Sequence, residues 1–391
     1  MLQEHEFVVL RPLSEPSNLK RFKDAWNMLR AHLEVKDDSQ PQRDVEESIQ
    51  EATKLIQERR GGTVKRAVVQ FQSGIKINVL AVTFGDDRAA FPIENIRDIT
   101  TAHQRMPTSY DFLKACEWFF PAGVPNHAWW EIGKAVKEAP DAEKNIRLDA
   151  QLIALYTPSR VAFVIERLCS VSSLAPFRTA LVGAARAYFA GISNASTALL
   201  APLVEGAARR LGEQVATELN RRLDPESVLR VKIDAKHIDL RSLIYWFSDV
   251  AIRAILLIRP FHEYRWVPGS FFAREFLIVS DYYILIFDLF QRHCADFFYS
   301  NTGDYKGLTG LNRHAMVHAM APSDLESKGN FCRLLSMFEV LYEAAAYGLN
   351  GTDFLPIPVP APPVGYAGDF ALHQIVGTHL AEVRARVADN V

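Results

Sequence analysis

Apolar residues recur at helical spacing along most of this chain, from about residue 109 onward. One stripe runs from Leu199 to Val215 and another from Leu243 to Ile258, each with apolar side chains at i, i+3 and i+4. Residues 273–296 and Phe331–Gly348 show the same spacing, and we read each as one further helix. Helices this apolar must pack against one another, so the pattern predicts a helical bundle over residues 106–350.

The first 105 residues follow a different pattern, which predicts a small α+β module. Alternating apolar and polar residues on both sides of Ser73-Gly74 are typical of a β-hairpin. The predicted helices are Leu19–Leu33 and Val45–Arg59, and the predicted strands are Phe7–Leu10, Ala67–Phe71, Ile75–Phe84 and a piece around Phe91-Pro92-Ile93 that follows a charged turn at Gly85-Asp86-Asp87-Arg88. The fold class expected from the whole chain is therefore mainly α, with strands confined almost entirely to residues 1–105.

Five prolines punctuate residues 351–370 and predict an extended connector, because proline lacks an amide donor and restricts φ. The apolar residues between Leu372 and Val387 then predict a short amphipathic helix that docks on the bundle or on a second subunit. We thus expect three parts: a module at 1–105, a helical domain at 106–350, and a connector with a terminal helix at 351–391.

Composition narrows the functional classes. The chain has 391 residues, 49% of them hydrophobic and 23% charged, with a net charge of −2, which is ordinary for a globular protein. Proteins that coat nucleic acid non-specifically usually carry a basic surplus, so any RNA contact should be local. Asp249 and Arg253 interrupt one of the two most apolar stretches, and Asp281 and Asp288 interrupt the other, which favours buried helices over membrane spans.

The four cysteines are scattered without a Cys-x-x-Cys pair, which is typical of reduced, buried thiols in a cytoplasmic protein. The first twelve residues contain no long apolar run and do not resemble a signal peptide. The dinucleotide, P-loop, serine-hydrolase and His-Glu-x-x-His signatures are all missing from the sequence. We therefore predict no cofactor and no bound metal.

One segment has the residue types that RNA cleavage requires: Asn312-Arg313-His314-Ala315-Met316-Val317-His318. A histidine titrates near neutral pH and serves as general base or acid, and an arginine presents donors that match phosphate oxygens. Arg313 and His318 therefore supply the minimum set for metal-independent phosphodiester cleavage. A second histidine, His314 or one from a partner subunit, would complete an acid–base pair.

This segment resembles the Arg-x4-His motif of the HEPN superfamily, with Arg313 and His318 at the two fixed positions and His314 at the polar one. The upstream Pro202-Leu203-Val204-Glu205-Gly206 is similar to a Pro-x-x-Glu-Gly helix of long bacterial HEPN-like proteins, although Ala319 stands where a glycine follows the final histidine there. The resemblance implies a metal-independent endoribonuclease that acts as a homodimer on host or invading RNA, in bacterial defence or as a toxin. It also admits a catalytically silent helical module that binds a nucleotide, an RNA or a partner protein.

Each candidate residue has a structural interpretation beside the functional one. Arg313 and His318 would serve equally as a carboxylate partner and a core histidine within a bundle. His314 and His318, four residues apart, would suit zinc, but the sequence indicates no third ligand. Glu205 either orients Arg313, with Asn312 assisting, or lies at the solvent edge of its helix. The N-terminal module is expected to contact a partner protein, and a pure interaction protein is a third possibility.

Overall fold

The computed structural model describes residues 18–33, 45–103, 113, 116–119, 121–122, 124, 126–222, 240–258, 260–300, 311–312, 328–350 and 364–388. The described chain forms two compact units. The first contains residues 18–33, 45–103, 219–222 and most of 252–285, and the second contains the described residues within 109–218, 240–251 and 286–388. The domain limits expected at residues 105 and 350 stay predictions.

The first unit is built on a three-stranded antiparallel sheet in the order β1-β2-β3. The strands are β1, Thr63–Gln70, β2, Lys76–Phe84, and β3, Asp87–Pro92. The predicted hairpin is confirmed, with Gln70 paired to Lys76 and Gly74 in the turn at φ 87°. β3 starts at Asp87, inside the segment expected to be a turn, because Asp87 pairs with Phe84 across the tighter turn at Gly85-Asp86.

Two helices at the predicted positions share a core with this sheet: α1, Leu19–Leu33, and α2, Val45–Arg60. Phe22 stacks on Trp266 with 6.3 Å between ring centroids, and Phe91 meets the same indole edge-on at 5.6 Å. The backbone amide of Ala90 donates to the Trp266 carbonyl at 3.1 Å, which ties residues 260–285 to β3. Helix α3, Ile96–His103, completes the N-terminal part of this unit.

The described secondary-structure elements of the second unit are all helices, and the strands lie in the first unit, which confirms the predicted fold class. Its helices are α4, Asn126–Lys137; α5, Lys144–Leu155; α6, Pro158–Cys169; α7, Arg178–Phe189; α8, Ser193–Arg222; α12, Lys328–Asn350; and α13, Val364–Ala388, while α9, Leu240–Ile258, and α11, Tyr282–His293, contribute in part. Residues 329–347 of α12 are all buried, and α12 packs on α5 and α6. No described helix is long and apolar enough to cross a membrane.

The prediction of one helix over residues 273–296 was wrong. The chain forms a short helix α10, Arg274–Ser280, then breaks at Asp281, whose φ of −148° and ψ of 136° are extended. The Asp281 carboxylate accepts a hydrogen bond from the Tyr283 amide at 2.8 Å and so caps the start of α11. A π-helical turn, Cys294–Phe298, follows α11. The cap stabilises a new start that helical spacing alone does not reveal.

The C-terminal prediction needs two corrections. Helix α13 begins at Val364, inside the stretch expected to be an extended connector. Val364 directly follows the last proline of that stretch, and proline is tolerated at the start of a helix. Phe370 and Gly377 face α6 and α7, whereas Leu372, Ile375, Val376 and Leu380 are exposed. The packed face is therefore set by small and aromatic residues and not by the aliphatic stripe.

Candidate functional site

Asn312, the first residue of the predicted motif, is completely buried and bound to the end of the π-turn, Cys294–Phe298. Its side-chain amide donates to the Phe297 carbonyl at 3.0 Å, the Ser300 carbonyl at 2.9 Å and the Ser300 hydroxyl at 3.1 Å. Carbonyls at the end of a helix lack α-helical partners, and the Asn312 amide supplies hydrogen-bond donors at this end. These bonds hold the chain in place at residue 312.

Arg313, His314 and His318 lie outside the described residues. Their catalytic roles, and their positions relative to Asn312, stay predictions. The structure provides the anchored residue immediately before them and the helix α12 that follows at Lys328.

Glu205 lies on α8 and forms an ion pair with Arg209, one turn later, at 3.3 Å. Its side chain is 23% exposed, so it is neither enclosed nor fully solvated. The next residue, Gly206, packs closely on Phe177, since an added Cβ would stand 3.1 Å from that ring. Whether Glu205 also orients Arg313 stays a prediction.

His293, the last residue of α11, is 3% exposed and packs between aromatic rings. Its ring centroid lies 4.8 Å from that of Phe119 and 5.7 Å from that of Phe297. Within the described part of the chain, neither ring nitrogen has a hydrogen-bond partner. Burial, followed by the charge of Arg333, lowers the pKa of His293 from 6.5 to about 3, so the ring is neutral.

Helix α12 carries a row of buried polar residues within an otherwise apolar sequence. The spacing of three or four residues makes successive members neighbours on the helix surface, so the row winds partly around α12. We call it the α12 polar row, and its members are Asn330, Arg333, Ser336, Glu339 and Glu343.

Arg333 is fully buried, and its guanidinium binds both a carboxylate and non-helical backbone. It donates to Asp149 on α5 at 2.6 Å, and Trp118 donates its indole N–H to the same carboxylate oxygen at 2.8 Å. Arg333 also donates to the carbonyls of Cys116 at 3.3 Å and Glu117 at 3.2 Å. The guanidinium lies 4.3 Å from the Trp118 ring centroid, within the range of a cation–π contact. Arg333 therefore joins α12, α5 and residues 116–118.

A second group surrounds Glu339. Tyr156 donates its hydroxyl to Glu339 at 2.7 Å and shares a 2.5 Å hydrogen bond with Ser336, while Arg160 on α6 donates to Glu339 at 2.9 Å. Burial raises the pKa of the Glu339 carboxyl, and Arg160 and Tyr156 partly offset that effect. Burial likewise raises the pKa of the Tyr156 hydroxyl well above its usual value, so it stays protonated as a donor.

The last member of the row, Glu343, pairs with Arg167 on α6. The Arg167 guanidinium also lies over the Tyr342 ring, 4.8 Å from its centroid. Arg160 and Arg167 are seven residues apart and Glu339 and Glu343 four, so two arginines on one helix meet two glutamates on another. Such paired charges fix which helix faces meet, since displacement would leave a buried charge without a partner.

Other groups of possible chemical interest are closed to solvent. The four cysteines are free thiols and all buried, and burial raises the pKa of Cys116 to about 11 and that of Cys332 to about 12. They are therefore protonated and unreactive at neutral pH. No group of three potential metal ligands occurs among the described residues.

Sequence reasoning missed the α12 polar row, although one signal for it was present. Polar residues at a regular spacing of three and four, inside an otherwise apolar segment, indicate a helix enclosed on all sides with polar contacts along part of its surface. The partners Trp118, Asp149 and Tyr156 come from distant positions, and no spacing predicts them.

Comparisons of this chain with family models, with curated protein sequences and with solved structures find no match. The resemblance to HEPN ribonucleases therefore rests on the motif at residues 312–318 and its upstream segment.

Proposed function

We propose that the chain is a metal-independent endoribonuclease of HEPN type that acts as a homodimer on RNA in bacterial defence or as a toxin. Arg313 stabilises the negative charge that develops on phosphorus, and His318 transfers a proton as general base or acid. His314 assists His318 or serves as its acid–base partner.

The observation that supports this proposal is the anchoring of Asn312. A catalytic arginine must be held close to its working position, because small displacements in an active site lower the rate strongly. Three hydrogen bonds from the Asn312 amide fasten the backbone one residue before Arg313 to Phe297 and Ser300. Buried polar groups that are hydrogen-bonded in this way make the surrounding chain more rigid.

The chemistry needs no external reagent. The ribose 2′-hydroxyl loses its proton to the general base, and its oxygen forms a bond to the adjacent phosphorus. The bond from phosphorus to the 5′-oxygen breaks, and the general acid gives that oxygen a proton. The products are a 2′,3′-cyclic phosphate and a 5′-hydroxyl. Arg313 stabilises the negative charge of the transition state, in which phosphorus is bonded to five oxygens.

The test is incubation of the purified full chain with mixed cellular RNA, with and without EDTA. We expect cleavage in both conditions and cyclic phosphate ends. Arg313→Ala and His318→Ala should each lower the rate by about 10²–10⁴-fold, the usual loss for a positioned proton-transfer group. Matched controls are Arg97→Ala and His103→Ala, two exposed residues of α3, which should cleave at the wild-type rate.

The other outcomes are equally informative. A partial loss in His314→Ala assigns that residue a supporting role, and a loss as large as that of His318→Ala makes it the acid–base partner. Cleavage that depends on added divalent metal would favour metal binding by His314 and His318. A chain that cleaves no RNA in any condition would contradict the proposal and favour the silent binding module.

A further inference from the structure

The buried imidazole of His293 stands at the start of the π-turn that holds Asn312. Phe297, one helical turn after His293, contacts it through its ring and accepts from Asn312 through its carbonyl. The Ser300 hydroxyl donates to the same carbonyl at 2.8 Å. His293, the π-turn and Asn312 therefore form one continuous set of contacts.

The surroundings of His293 suit only the neutral ring. Phe119 and Phe297 present apolar surfaces, and the charged group that acts on the imidazole within the described chain is the Arg333 guanidinium. Two buried nitrogens without hydrogen bonds already cost free energy, because water would satisfy both in an open state. A proton on the ring would add an unpaired charge beside another positive charge, which is far more costly.

π-turns are also local irregularities in hydrogen bonding. The amide of Tyr299 donates to the Cys294 carbonyl, five residues back, at 2.8 Å, where an α-helix would bond four residues back. Such turns are frequent at functional sites and are held by tertiary contacts rather than by their own geometry. In the described chain, the His293 packing and the Asn312 amide both contribute contacts that hold this turn.

We propose that His293 is a proton-sensitive latch: the neutral ring keeps the π-turn closed on Asn312, and its protonation favours release of both. The inference concerns the fold of this segment and holds whether or not the chain cleaves RNA. If the chain is a ribonuclease, release of Asn312 would free the residue before Arg313 and lower activity in acid.

Hydrogen exchange of the full chain, measured by mass spectrometry between pH 7.5 and 5 and corrected for intrinsic rates, tests the latch. Below about pH 6.5 a proton binds the open state only, so the opening equilibrium constant should rise about tenfold for each pH unit. We expect protection of residues 294–300 and 311–312 to fall accordingly in the wild type. In His293→Leu, which removes the titrating group, protection should stay constant with pH.

The control is His103→Gln, an exposed histidine that should behave as the wild type. Equal loss of protection in His293→Leu and wild type, or constant protection in the wild type, would overturn the latch. If His293→Leu does not fold, NMR titration of histidine side chains in the wild type decides. A His293 ring that remains neutral at pH 5 in the closed state supports the latch, and one that titrates near its ordinary value refutes it.

Discussion

Replacing Arg333 with methionine removes the most completely buried charge of the α12 polar row while keeping a side chain of similar length. The substitution deletes the 2.6 Å ion pair with Asp149 and the donors for the carbonyls of Cys116 and Glu117. It also removes the cation from the Trp118 ring. What is left is a carboxylate, 19% exposed, that still accepts a hydrogen bond from the Trp118 indole.

The expected loss of stability follows from the interactions that Arg333→Met removes. Removing one partner of a buried ion pair typically destabilises a protein by about 3–5 kcal/mol, because the other charge stays buried without compensation. Partial access of Asp149 to water lowers this figure, and the loss of one donor to each of the two carbonyls raises it by about 1 kcal/mol each at most. We therefore expect Arg333→Met to lower the free energy of unfolding by roughly 3–4 kcal/mol.

Denaturant unfolding followed by circular dichroism measures this loss as a shift of the transition midpoint. The matched control is Arg241→Met, an exposed arginine of α9, which should change stability by less than about 0.5 kcal/mol. Adding Asp149→Asn completes a double-mutant cycle, and the two losses should not add, because the second change neutralises the charge left by the first. A loss below about 1 kcal/mol, or strict additivity, would refute a structural role for this pair.

Two further substitutions test packing and the polar row. Gly377→Ala should lower the melting temperature, since the added Cβ would stand 2.5 Å from the Phe189 carbonyl oxygen. Gly368→Ala, on the same helix α13 with open space around it, should instead stabilise the helix by about 0.5–1 kcal/mol, and the opposite order would contradict the packing described. Tyr156→Phe removes the 2.7 Å donor to Glu339 and should cost about 1–3 kcal/mol in denaturant unfolding, whereas an unchanged midpoint would show that the hydroxyl does not matter.

The chemistry proposed for the candidate site rests on residue types, whereas its surroundings depend on the fold. Arginine and histidine have the charge and the titration range that phosphodiester cleavage uses, and both are properties of the side chains alone. The binding of Asn312 to Phe297 and Ser300 depends on where α11 ends and on the π-turn that follows. Neither feature has a spacing signal, since a π-turn results from one additional residue accommodated by tertiary contacts.

The break at Asp281 results from a balance between continuing one helix and starting a new one. The apolar spacing of residues 273–296 is compatible with one helix, and aspartate lowers helical propensity by only a fraction of a kcal/mol. In the fold, Ser280 accepts a backbone hydrogen bond from Ser73 at 3.2 Å, and the Asp281 carboxylate caps the next helix. These long-range and capping bonds outweigh the small preference for continuing the helix.

By itself, the sequence determined the classes of secondary structure and the limits of several elements. The helices at Leu19–Leu33 and Val45–Arg60 and the hairpin around Gly74 follow from periodicity and from glycine positions, which act over a few neighbouring residues. The tertiary structure alone decided which polar groups became partners. Arg333 meets Asp149 across 184 residues of chain, and Glu339 meets Tyr156 across 183. A buried charge accepts any partner of opposite sign that the packing brings within reach, and only the assembled helices determine which one that is.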